Sequence, residues 1–250
     1  MPCQNIEVIV AQWPAPKRVR AFTTTRIGGV STGPYEALNL GGHVGDDSAA
    51  VTENRRRLIS ACGLPGEPVW LTQIHGTRVV DATTVTPNSQ ADASFTEQPG
   101  VVCTVLTADC LPLFLCERSG TRVGIVHIGW RGLAAGIVAK AVSAFAIELS
   151  NVMAWLGPAI GPQSFEVGED VKHALQVNQS EFDSCFVPAS RRGRWMANLY
   201  GLISQHLRRA GVNNCYYDDS ICTYMQPDLF FSYRRDRNCG RMASLIWIDP

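Results

Sequence analysis

The chain has no run approaching the roughly 18 apolar residues that a membrane-spanning helix requires, and no CxxC pair of cysteines. The first absence leaves no membrane segment to propose. The second removes the usual local signature of a structural zinc site or a thioredoxin-like motif. Net charge is absent too, since 22 Lys and Arg balance 22 Asp and Glu. That argues against a broad basic face for nucleic acid or anionic lipid, while leaving room for one local anion pocket. No low-complexity linker divides the sequence and no internal repeat is visible. The start, Met1 to Glu7, lacks the charged opening and apolar run of a secretory signal, so a cytoplasmic protein is expected, with no protein partner indicated.

What remains is an ordinary globular composition in 250 residues, enough for one large domain. Nine cysteines are present, an odd number, and several lie in apolar runs such as VVCTVL and LPLFLC. Most are expected to be inert, buried thiols. Short β-branched or aromatic runs predict strands at Val69–His75, Val79–Val85, Val101–Thr107, Arg122–Ile128, Val152–Leu156, Leu229–Tyr233 and Met242–Ile248. Apolar spacing predicts three helices. They are Ser48–Cys62 behind a capping Asp46-Asp47 and before Gly63, a largely buried Leu133–Leu149, and Trp195–Ala210 stopped by Gly211. Strands and helices interleave, and the polar stretch from Thr86 to Gly100 reads as a surface loop. The expectation is one α/β (α+β) domain over residues 1–250.

Three apolar stretches end in a metal-competent side chain: WLTQIHG at His75, VLTADCLP at Cys110 and GIVHIGWRG at His127. In α/β proteins functional groups gather just beyond strand ends. Two imidazoles and a thiolate suit zinc, and three ligands leave a fourth position open, as in catalytic sites. The spacings, 35 and 17 residues, match no local zinc pattern. Each residue alone also has a plain explanation: a turn histidine at His75, an inert thiol at Cys110, a core histidine at His127.

The segments TTRIGGVSTGPYEALNLGGHVGDD, ENRRRL, WLTQIHG, ADASFTEQPG, TADCLPLFL, HIGWRGLAAGIV, WLGPAIGPQSFEVGEDV and FFSYRRDRNCGRMASLIWI run in order from residue 23 to 248. Together they resemble the YfiH family, described as multicopper polyphenol oxidoreductases (laccase-like) and also as purine nucleoside phosphorylases. The resemblance implies that His75, Cys110 and His127 are the ligands of a catalytic zinc. It also implies a layered α/β/β/α fold with mixed β-sheets. One departure is Ile128, where the family usually has alanine in the HxGWRG segment.

That resemblance further implies phosphorolysis of adenosine, inosine and methylthioadenosine, with adenosine deamination beside it. Purine nucleosides and phosphate would be the small-molecule partners. Deamination by a zinc centre needs a proton-shuttling carboxylate. Asp109 is the candidate, with orientation of a ligand as its alternative role. Phosphorolysis needs an anion pocket, for which guanidinium is suited. Arg131 leads because it lies four residues from His127; Arg55, Arg26, Arg234, Arg235 and His43 are weaker candidates. Rival readings are a copper-dependent polyphenol oxidase, a cysteine hydrolase using Cys110 and His127, and a non-catalytic zinc protein. Five histidines, His43, His75, His127, His173 and His206, are few for a multicopper cluster.

Overall fold

The computed structural model describes residues 5–86, 89–145, 148–176 and 180–250. Cys3, the first residues of the N-terminal segment, two residues of the polar loop and two near the end of the second anticipated helix lie outside them. The strands are β1 (Val8–Val10), β2 (Val19–Thr24), β3 (Val79–Asp81), β4 (Ala93–Thr96), β5 (Cys103–Thr107), β6 (Leu111–Glu117) and β7 (Val123–Ile128). They continue with β8 (Val152–Leu156), β9 (Glu166–Gly168), β10 (Phe186–Pro188), β11 (Arg194–Ala197), β12 (Asn214–Tyr217) and β13 (Met242–Ile248). The α-helices are α1 (Ser48–Cys62), α2 (Trp130–Ala134), α3 (Ile137–Phe145), α4 (Glu169–Gln176), α5 (Leu199–Arg209) and α6 (Tyr233–Asp236).

Two sheets stack face to face, and side-chain alternation explains why. In β6, Leu111, Leu113 and Leu115 face α3 and α5, while Phe114 and Cys116 face the other sheet. In β13, Ile246 and Ile248 meet that same inter-sheet layer, while Ala243, Leu245 and Trp247 pack on Leu58 and Cys62 of α1. Strands buried on both faces must read as continuous apolar runs, as LPLFLC and MASLIWI do. The order is therefore α1, a four-stranded antiparallel sheet (β1-β2-β13-β5), a mixed six-stranded sheet (β12-β8-β6-β7-β4-β3), then α3 and α5. This is the anticipated α/β/β/α layering. A small antiparallel sheet, β10-β11-β9, stands apart.

Helix α1 forms as its sequence dictates. Asp47 accepts a hydrogen bond from the Ala49 amide at 2.9 Å, and Gly63 ends the helix in the left-handed region at φ +60°. Other anticipated elements differ. The Leu133–Leu149 helix starts earlier, at Trp130, and breaks at Gly136, whose φ of +86° favours glycine. Residues 195 and 196 belong to β11 instead of a helix; Asn198 then caps α5 by accepting from Gly201 N. The Leu229–Tyr233 strand is absent, because Phe230 N bonds to Gln226 O in a helical turn. Val69–His75 makes only isolated bridges. Its place in a ladder is taken by Gln73, whose side chain accepts from Leu106 N at 2.7 Å and donates to Leu106 O at 2.8 Å. Strand β6 was not anticipated; its Pro112 sits near the strand start, where a missing N–H is tolerated.

Among the described residues no helix is long and apolar enough to cross a membrane. Among the described residues seven cysteines are free thiols, while Cys62 is disulfide-bonded.

Candidate metal centre

His127 lies near the end of β7, on the face it shares with Val123 and Ile125, toward the other sheet. Cys110 occupies the turn from β5 to β6, and His75 a loop with φ +56°. The structure thus brings the three together at one end of the inter-sheet layer from a strand, a turn and a loop, instead of from three strand ends. Their ligand atoms all lie within 4.8 Å of one another, close enough to share one metal ion. The two imidazoles meet edge to face at 4.7 Å between ring centres.

A carboxylate that sequence reasoning did not single out organises this cluster. Asp92 is fully buried. Its Oδ1 lies 2.9 Å from His127 Nδ1 and also accepts from the His75 amide at 2.9 Å. Its Oδ2 accepts from the Gly76 and Ile74 amides at 2.7 and 3.3 Å, and its carbonyl accepts from His127 N at 2.7 Å. One side chain therefore fixes the His127 ring, leaving Nε2 for a metal, and shapes the loop that presents His75. Burial alone would raise the Asp92 pKa, but the His127 ring and these amides outweigh it and hold it below the usual carboxylate value. The available signal was the ADAS segment preceding β4, an acidic residue before a run of small buried ones.

Electrostatics separates the two histidines. Burial lowers the His127 pKa, but the Cys110 charge and the Asp92 bond outweigh it and bring it to about 9. Burial lowers His75, helped by His127, Arg131 and Arg241 against the pull of Asp92. A bound cation competes with the proton for the same ring nitrogen. Gly129 leaves the space for the cluster. A Cβ there would overlap His75 Nδ1 and lie 2.9 Å from its Cε1 and 3.2 Å from Cys110 Sγ. The donor set, the open face and this cradle all suit a zinc-sized ion.

The cluster forms one wall of a cavity of about 470 Å³. Four arginines, Arg131, Arg234, Arg237 and Arg241, also border it, with His43 and Tyr233; Arg234 donates to Glu166 O and Arg241 to Cys239 O and Gly240 O. Apolar lining comes from Leu106, Ile160, Phe165 and Leu199. Arg131 stacks over Trp130 and Arg237 near Tyr233, and among the described residues neither guanidinium has a hydrogen-bond acceptor. Ile128 borders the cavity but is fully buried in the helix-side core, so it adds packing there without removing a donor.

The other candidate arginines lie elsewhere. Arg55 stacks on Trp70 at 3.9 Å and donates twice to Leu40 O, outside the cavity lining. Arg26 donates to Glu36 O and Pro227 O. Arg235 reaches the carbonyls of Thr223, Tyr224 and Phe230. All three brace the backbone. Asp109 borders the cavity with both carboxylate oxygens held: Thr223 Oγ1 donates to one at 2.8 Å and Arg234 N to the other at 2.6 Å. His173 lies on α4, and His206, on α5, stacks on Phe182.

Fold and centre together define a layered α+β protein with one metal-competent His–Cys–His cluster beside an anion-attracting wall. The chain belongs to the family described as multi-copper polyphenol oxidoreductase laccase, whose model matches residues 20–249. Proteins named purine nucleoside phosphorylase YfiH in Shigella flexneri and Escherichia coli (strain K12) are 49% and 48% identical over 243 residues, covering 97% of this chain and 99% of theirs. The crystal structure of Neisseria meningitidis protein NMB0706 superposes with a TM-score of 0.92 at 45% identity, covering 97% of this chain and 99% of that one. That of YlmD from Geobacillus stearothermophilus gives 0.88 at 31%, covering 95% and 94%.

Proposed function

We propose that the chain is a zinc-dependent purine nucleoside phosphorylase, acting on adenosine, inosine and methylthioadenosine. The observation that carries this reading is the make-up of the cavity: it is lined by a metal-competent cluster and also by two guanidinium groups, Arg131 and Arg237, that have no acceptor among the described residues. The names of the close relatives support it. His75, Cys110 and His127 would hold the ion, and when bound it would supply Lewis-acid polarisation of an oxygen in the cavity.

The chain's own groups do the rest. Arg131 takes the phosphate, because its exposed guanidinium is free for bidentate contact. Arg237 faces the same space and adds positive potential. Phe165, Leu199 and Ile160 offer an apolar surface for the purine. Partial burial and the Arg241 and Arg55 charges lower the His43 pKa, which favours a neutral imidazole able to accept a hydrogen bond from a ribose hydroxyl. Phosphate oxygen bonds to C1′ as the bond from C1′ to the base nitrogen breaks, and the departing base takes up the proton that hydrogen phosphate gives up, yielding free base and ribose 1-phosphate. Deamination of adenosine is the lesser activity in this reading, since Asp109, whose oxygens are already held, is the only carboxylate among the described lining residues.

Incubation with inosine and phosphate should release hypoxanthine and ribose 1-phosphate, with the sugar phosphate vanishing when phosphate is withheld. Arg131→Ala should raise the KM for phosphate about 10-fold or more and leave that for nucleoside nearly unchanged, as expected for loss of a charged hydrogen bond. Turnover indifferent to phosphate points to a hydrolase. Copper-dependent turnover of phenols alone would vindicate the oxidase description carried by the family.

A further inference from the structure

We infer that Asp109 is a positioning residue, a clamp that ties the Cys110 turn to the arginine-bearing wall of the cavity. The inference deepens the phosphorylase reading and rests on it for its kinetic consequence. Asp109 is buried and holds φ +89°, a conformation rare for a residue with a side chain. Three separate segments converge on it. Its carbonyl accepts from Ile160 N at 3.1 Å, in the loop after β8. Its Oδ1 accepts from Thr223 Oγ1, a fully buried hydroxyl whose own amide bonds to Ala159 O. Its Oδ2 accepts from Arg234 N.

That last bond explains the arrangement. The first amides of a helix have no partner within it, and they favour a negative group. Ser232 caps α6 by accepting from Arg235 N, and Asp109 supplies the acceptor for Arg234 N from across the chain. Helix α6 is a single turn, too short to hold itself. Yet it carries Tyr233 and Arg234 and leads into Arg237, all bordering the cavity. The residue next to Cys110 therefore sets where Arg234 and Arg237 stand relative to the metal cluster. A proton shuttle would have to work through the lone pairs that these bonds leave over.

Two variants of the metal-loaded protein separate the roles. In Asp109→Asn the amide oxygen can still accept from Arg234 N, and the amide nitrogen can donate to Thr223 Oγ1, since a hydroxyl serves either way. The clamp survives, so turnover should stay within about 5-fold of the parent. In Asp109→Ala it is lost. The KM for phosphate should then rise about 10-fold or more, with nucleoside KM and zinc content nearly unchanged. A proton shuttle predicts instead that both variants lose kcat alike with phosphate KM unmoved, which would overturn the inference. Amide hydrogen exchange across residues 233–237 gives a readout that needs no turnover. It should quicken in Asp109→Ala and not in Asp109→Asn; equal exchange in both overturns the clamp. If the parent protein ignores phosphate, the phosphorylase reading fails, while the exchange comparison still decides what Asp109 does.

Discussion

The layer between the two large sheets and the cavity at its end are built from the same strands, yet they treat the same side-chain types in opposite ways. Cys103 and Cys116 are enclosed between the sheets, whereas Cys110, in the same stretch of chain, stands half-buried at the cavity. The arginines divide similarly. Arg26, Arg55 and Arg235 donate to backbone carbonyls, Arg235 also to Asp236, while Arg131 and Arg237 border the cavity with no acceptor among the described residues. What differs is the surroundings, not the residue type: His127 lies inside β7, while Cys110 and Arg131 each lie three residues beyond a strand, at the cavity.

Asp92 is where the two regions join, so removing it should have the largest effect. Asp92→Ala deletes the partner of His127 and strands several loop amides without an acceptor. Loss of about 3–5 kcal/mol of stability is expected, as for one half of a buried pair. Zinc affinity should fall about 10–100-fold, the usual consequence of removing a residue that orients a metal ligand. Denaturant midpoints and competitive metal titration would measure both. A variant that keeps its zinc would show that the ligands orient themselves.

Gly129→Ala sharpens the same division at smaller scale. The nearest atoms the new methyl would meet belong to His75 and Cys110, both members of the cluster. Overpacking of this kind costs about 1–3 kcal/mol. It should appear mainly as weaker zinc binding, with thermal stability of the metal-free protein close to the parent. Unchanged zinc affinity would mean that the loop carrying His75 yields freely.

Much of the frame was legible in the sequence because doubly buried strands leave apolar runs, although the run of β6 was not among the anticipated strands. Val152–Leu156 and Met242–Ile248 come out at their anticipated bounds, and α1 shows its cap and its stop. What was hidden were features in which side chains replace backbone pairing. Val69–His75 looks like a strand, but Gln73 and Asp92 take over the hydrogen bonding that a neighbour would supply. The same holds for the cavity. Family motifs marked His75, Cys110, His127 and Arg131, all of which border it, and also Arg55, which does not. Arg237 and Arg241 were passed over because nothing in SYRRDRNCGR distinguishes a guanidinium facing a cavity from one bracing a loop. Only the positions of acceptors around it do that.

The smallest effect, and the one that tests the sheet-to-sheet layer alone, concerns pH. Burial pushes the thiols of Cys103 and Cys116 up to about 12, against about 8.5 for an exposed cysteine. A folded-state pKa above the unfolded value means that the native protein binds the proton more tightly. The resulting stability is fully present below about pH 8.5 and is lost as pH rises from there toward 12. By about pH 9.5 each thiol should have forfeited on the order of 1 kcal/mol. Other buried acids contribute in the same direction, Tyr200 among them, whose phenol is also raised by burial. The contribution of the two thiols is therefore read as a difference. A Cys103→Val, Cys116→Val double variant should show a shallower fall in thermal midpoint between pH 8 and 10 than the parent. Alkylation gives the matching chemical readout: metal-free protein should be labelled at Cys110 with zinc protecting it, while Cys103 and Cys116 stay unlabelled until the chain unfolds. Parallel pH slopes, or labelling of the inter-sheet thiols in the folded protein, would show that the layer opens to solvent and that its separation from the cavity is less sharp than its packing indicates.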